Sequence, residues 1–122
     1  VVMCSGKVYY DLVEAREAAG IDDVYILRLE QLYPFPAGPL LAELENYDHA
    51  EFVWCQEEPK NMGAWTSVEP EIEHVLTMLQ AKHKRAVYAG RAAAASTATG
   101  LMSRHMAERE KLLQQALQDP IG

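Results

Sequence analysis

Short continuous apolar runs alternate with longer stretches of helical spacing along this chain, and few folds accommodate that order. Val1-Val2-Met3-Cys4, Val24-Tyr25-Ile26-Leu27-Arg28-Leu29, Phe52-Val53-Trp54-Cys55 and Val87-Tyr88-Ala89 are the runs. A run that is apolar on both faces must be covered on both faces, which strands joined by crossover helices achieve in a parallel sheet. The expected fold class is therefore α/β, three-layer α/β/α with a mainly parallel sheet, and residues 1–122 read as one domain.

The helical stretches carry their own punctuation. Val8, Tyr9, Leu12, Val13 and Ala19 recur at three- and four-residue spacing, and Gly20 stands where a helix end favours positive φ. Pro34-Phe35-Pro36 predicts a fixed loop; Pro39 suits a first helical turn, and Leu40, Leu41, Leu44 and Tyr47 give the next helix a packing stripe. A third helix is expected from an Asn61 N-cap, with Trp65, Val68, Ile72, Val75, Leu76 and Leu79 along one side, and Pro70 either interrupting it or marking its true start. The last helix is expected to start between Ser96 and Gly100 and to bury Leu101, Met102, His105, Leu112, Leu113, Ala116 and Leu117. Short crossovers favour adjacent strands, so the first and third strands should be neighbours, with Cys4 close to Cys55.

Charge narrows the partners. With 18 acidic against 11 basic residues the chain carries −7, which disfavours nucleic-acid backbones and anionic lipid surfaces. No apolar run approaches membrane-spanning length and no signal segment opens the chain, so a soluble intracellular protein is expected. Cys4 and Cys55 have no second cysteine near them in sequence, and read as buried free thiols rather than a redox or zinc motif. The chain opens directly on a strand pattern, which suggests a piece of a longer polypeptide.

In a parallel sheet the loops after the strand ends gather at one edge, and function is expected there. The richest such segment is FVWCQEEPKNMGAW, residues 52–65. Gln56, Glu57, Glu58, Lys60 and Asn61 form a polar rim with Met62 and Trp65 as apolar anchors, a pattern that fits contact with a neighbouring domain better than a solvated turn. Glu57 and Glu58 are adjacent, so on a strand they face opposite ways and cannot act as a paired acid and base. Lys7, beside Ser5 and Gly6 at a strand–helix junction, together with Lys60, Arg85 and Arg91, could hold an anion, although one glycine is far from a phosphate-binding loop. The spacing of His49, His74, His83 and His105 fits no metal motif.

Four segments, CSGKVYYDL, RLEQLYPFP, WCQEEPKNMGAW and GRAAAASTATGLMSRH, resemble in this order the C-terminal end of the thiamine-diphosphate-dependent dehydrogenase component of the 2-oxoglutarate dehydrogenase complex. The resemblance covers essentially the whole chain, and its looser shape is similar to the C-terminal domain of transketolases. Ala92 and Thr97 depart from it, standing where proline is usual. It implies an enzyme that decarboxylates 2-oxoglutarate on thiamine diphosphate and passes a succinyl group to a lipoyl acyltransferase component, in the bacterial cytoplasm or the mitochondrial matrix. Thiamine diphosphate and magnesium are then held by the preceding domains across a homodimer interface, and this segment binds neither and is inactive alone. Two functions stay open: a structural and interaction domain of that dehydrogenase, or a regulatory module for a nucleotide or acyl-coenzyme A, with Lys7, Lys60, Arg85 and Arg91 as its anion cluster.

Overall fold

The computed structural model describes residues 1–91 and 111–117. Four strands, β1 (Val2–Cys4), β2 (Ile26–Arg28), β3 (Phe52–Pro59) and β4 (Ala86–Arg91), alternate with helices α1 (Val8–Ala19), α2 (Ala37–Glu43) and α3 (Trp65–Leu79). Residues 111–117 are also helical. The strands form one sheet in the order β2-β1-β3-β4 with every pairing parallel.

Strand alternation sends successive side chains to opposite faces, and two cores result. On one face Met3, Phe52 and Trp54 pack with Leu40 and Leu44 of the α2 region and with Val68, Ile72, Val75 and Leu76 of α3. On the other, Val2, Cys4, Val53 and Cys55 pack with Val8 and Leu12 of α1 and with Leu112, Ala116 and Leu117. The three-layer α/β/α expectation is met. The first and third strands are indeed neighbours, and Cys4 lies in register with Cys55. Both thiols are free and buried.

The helix ends follow local chemistry. Gly20 takes φ 68°, and its N–H reaches the carbonyls of Arg16 and Glu17. Gln80 ends α3 at φ 58° without glycine, an end that the sequence did not announce. That helix begins at Trp65 and not at an Asn61 cap; its N-cap is Ala64, which has no capping side chain. Pro70 lies inside it. The hydrogen bond it forfeits would have reached Thr66, and both residues are exposed, so water can satisfy the orphaned carbonyl. The expected start of the last helix, its positions Leu101, Met102 and His105, and the departures at Ala92 and Thr97 lie outside the described residues.

Strand lengths differ from the sequence expectation in a way that matters. β3 runs on through Gln56, Glu57 and Glu58 to Pro59, and β4 through Gly90 to Arg91. Their pairing shifts between Cys55 and Pro59, so the two strands extend together past the ends of β1 and β2.

Candidate functional site

The carboxyl edge of β3 is organised by one buried amide. Gln56 is 4% exposed, the buried polar side chain of the described core. Its Oε1 accepts from the indole Nε1 of Trp54 at 2.9 Å and from the backbone N–H of Trp65 at 3.0 Å. Its Nε2 donates toward the carbonyls of Met62, Pro59 and Glu58 at 2.8, 3.0 and 3.2 Å. A single side chain thus caps the first amide of α3 and ties down the turn between β3 and α3. That accounts for a helix start without a local cap.

Packing closes around this amide. A methyl group at Gly63, where φ is +67°, would lie 3.2 Å from the Gln56 Nε2 and 3.1 Å from Glu58 Cβ. At Gly90 it would meet the Gln56 carbonyl oxygen at 2.7 Å. Trp65 is buried, its ring 5.4 Å from that of Tyr88. The Tyr88 hydroxyl donates to the Arg91 carbonyl at 2.6 Å and lies 3.2 Å from that of Glu58; burial pushes its pKa up to about 12. Lys60 is exposed and holds its ammonium 5.6 Å from the Tyr88 ring centroid.

The sequence candidates therefore divide. Gln56 and Trp65 face inward and build the loop. Glu58, Lys60 and Asn61 are exposed on it, and Glu57, on the alternate face of the strand, is half-buried. Gln56, Glu57 and Glu58 belong to the strand and not to a loop: the polar run QEEP hid an extension that β4 and the Gln56 amide support.

The four basic residues do not converge. Lys7, Lys60 and Arg91 follow or end strands at the carboxyl edge, whereas Arg85 precedes β4 at the opposite edge. A six-residue strand of about 20 Å separates Arg85 from Arg91. Arg85 is moreover paired with Glu73 at 3.4 Å. The anion-cluster module gains no support from this arrangement. The thiols are equally unsuited to attack: burial lifts Cys4 from 9.0 to about 12, Arg28 opposing it in part, and lifts Cys55 further still.

One cluster that sequence reasoning missed sits at the end of β2. The guanidinium carbon of Arg28 lies 5.3 and 5.8 Å from the ring centroids of Tyr10 and Tyr9. Its Nη1 donates to the Tyr10 hydroxyl at 3.2 Å and lies 3.7 Å from Glu30. The available signal was a Tyr-Tyr pair opening α1 together with an arginine that breaks the apolar run of β2.

Comparison with known proteins gives this geometry a context. Residues 1–117 match a family described as 2-oxoglutarate dehydrogenase C-terminal. Proteins named 2-oxoglutarate dehydrogenase E1 component from Brucella anthropi, Brucella ovis and Brucella abortus are each 65% identical to the chain over 117 residues. That alignment covers 96% of this chain and 12% of the length of each relative.

Proposed function

Because the chain belongs to the 2-oxoglutarate dehydrogenase C-terminal family, we propose that it serves as the C-terminal structural and interaction domain of an E1 enzyme. In this reading the whole enzyme decarboxylates 2-oxoglutarate on thiamine diphosphate and passes the succinyl group to a lipoyl acyltransferase component. The observation that carries it is 65% identity, over nearly the full chain, to proteins bearing the E1 name.

The domain's own residues support a positioning role. The described residues hold no group of three or more His, Cys, Asp and Glu side chains that could bind a metal ion. The reading assigns thiamine diphosphate and magnesium to the preceding domains and their homodimer partner. What these residues do offer is a stiff strand-to-helix turn, fixed from inside by Gln56, presenting Glu58, Lys60 and Asn61 outward. Preorganised polar groups lose little freedom on contact, which favours docking against another domain. No helix among the described residues is long and apolar enough to cross a membrane.

Lys60→Ala and Glu58→Ala in the full-length enzyme test the reading. Both residues are exposed, so neither change should alter the domain's own melting appreciably. The expected result is weakened dimer or interdomain assembly, seen in sedimentation and cofactor affinity. Wild-type sedimentation, cofactor affinity and turnover in both variants would make the segment an ordinary solvated turn.

A further inference from the structure

Strands β1 and β2 are adjacent and parallel, so the segments that follow them leave the sheet at the same edge. Each carries an aromatic side chain that the described domain leaves in water. Tyr10, in the first turn of α1, is 61% exposed, and Tyr33, in the loop between β2 and α2, is 94% exposed. Met78, the remaining large exposed apolar side chain of the described residues, lies on α3 and belongs to neither segment.

Tyr10 is exposed yet held in place. Its hydroxyl accepts from Arg28 at 3.2 Å, its ring lies under the same guanidinium, and Tyr9 meets it edge-on with centroids 5.4 Å apart. Arg28 is in turn drawn toward Glu30 at the head of the loop that carries Tyr33. The loop is anchored on its inner side too, since Leu32 and Phe35 pack against the core formed with α2 and α3. Tyrosine and arginine fixed in this way are the residue types that supply most of the energy of protein interfaces, because they bury much area at small entropic cost.

We infer that Tyr10, Arg28 and Tyr33 form a second docking surface, occupied by the part of the E1 polypeptide that lies outside these 122 residues. The inference rests on the reading of the chain as an E1 domain. The occupant follows from length: the chain spans 12% of the relatives it matches, so most of such a polypeptide lies outside it and supplies the segments that adjoin it. The surface is built on the segments that follow β1 and β2, whereas residues 56–61 lie on the β3 and β4 side of the sheet edge. Together they make the carboxyl edge a contact line spanning the sheet, rather than a single loop.

The test uses the full-length enzyme, with tetranitromethane nitration reading the two tyrosines and hydrogen exchange reading residues 29–36 and 56–61. Native enzyme should resist nitration at Tyr10 and Tyr33 until it is unfolded, and residues 29–36 should exchange slowly. Tyr33→Ser and Tyr10→Ser should raise exchange at 29–36 about tenfold or more and speed proteolytic release of the domain. Ready nitration of both tyrosines in native enzyme, with residues 56–61 still protected, overturns this inference and leaves the E1 domain reading standing. Both segments unprotected overturns both. Protection of Tyr33 that appears only when the acyltransferase component is added also overturns the inference, since the occupant would then be a different protein.

Discussion

Replacing Gln56 by leucine tests whether one amide holds the carboxyl edge together. Leucine is close to glutamine in volume, so the substitution removes hydrogen bonds without opening a large cavity. Two donors lose their acceptor: the indole N–H of the buried Trp54 and the backbone N–H of Trp65. An unsatisfied buried group costs about 1–3 kcal/mol, giving roughly 2–6 kcal/mol for the pair. The carbonyls of Pro59 and Met62 also lose the amide donor, but that of Pro59 keeps its bond from the Met62 N–H and that of Met62 is only part-buried, so neither adds a comparable cost. Burial of leucine in place of the amide returns about 1–2 kcal/mol. The net expectation is a loss near 3 kcal/mol, a large share of the roughly 5–15 kcal/mol that holds a domain together.

Urea unfolding of wild type and variant supplies the measurement, and for a chain of this size the loss corresponds to a melting temperature lower by roughly 10 °C. Gln56→Glu separates hydrogen bonding from shape. Its carboxylate keeps the acceptor for Trp54 and Trp65 but sets a second oxygen against the carbonyls of Glu58, Pro59 and Met62. The folded state then favours the protonated acid, which can still donate, so the folded pKa exceeds the unfolded one. Stability of this variant should therefore be greatest at low pH and fall as pH rises through the folded pKa. A Gln56→Leu protein melting within about 2 °C of wild type would refute the reasoning, because the bonds would then contribute nothing that leucine does not replace.

Other substitutions probe the same structure. Trp65→Ala removes a buried indole packed on Tyr88 and should cost about 3 kcal/mol or more in denaturant unfolding. Gly90→Ala forces a methyl to within 2.7 Å of the Gln56 carbonyl oxygen and should cost about 1–3 kcal/mol, whereas Gly38→Ala meets nothing within 4 Å and should stabilise by about 0.5–1 kcal/mol in the same assay. Cys4 titrates near 9.0 when unfolded and is raised to about 12 in the fold, so its contribution is complete below pH 9 and is lost as pH climbs from 9 toward 12. Stability measured from pH 8 to 11 should decline, and Cys4→Ala should flatten the decline. A thiol reagent at pH 8 should leave the native chain unlabelled and modify both cysteines after unfolding.

The sheet was legible because continuous apolar runs leave little choice. Val2, Met3 and Cys4, and Val53, Trp54 and Cys55, have no polar face to show water, so they had to be inner strands. Their neighbour relation followed from short crossovers, and the cysteine pair with it. Where the sequence misled, a long-range contact overrode a local signal. Asn61 is a favoured N-cap residue, yet the cap of α3 comes from Gln56, nine positions before the amide it serves. The run QEEP reads as a turn because three polar residues precede a proline, yet parallel pairing with β4 keeps it extended. Of the basic residues Lys7, Lys60, Arg85 and Arg91, Arg85 already stands before the Val87-Tyr88-Ala89 run in the sequence, so its place at the opposite edge was legible and the expected cluster overlooked it.

The extension of β3 past Cys55 is the physical ground for expecting assembly and folding to respond separately to substitution in the proposed E1 domain. β1 pairs with β3 only as far as Cys55, so the next residues have lost one neighbouring strand and would fray if backbone pairing were their only support. Their support comes from the other side, from β4 at Pro59 and Arg91 and from an amide that joins the strand to the first turn of α3. A partner pressing on Lys60 or Glu58 therefore meets a turn whose inner side is core, and little motion is left to be lost on binding. It follows that removing an outer side chain should weaken docking and spare the fold, while removing Gln56 should weaken both. A protein in which Gln56→Leu lowered stability as expected but left full-length assembly unchanged would show that the turn is rigid for the sake of the fold alone.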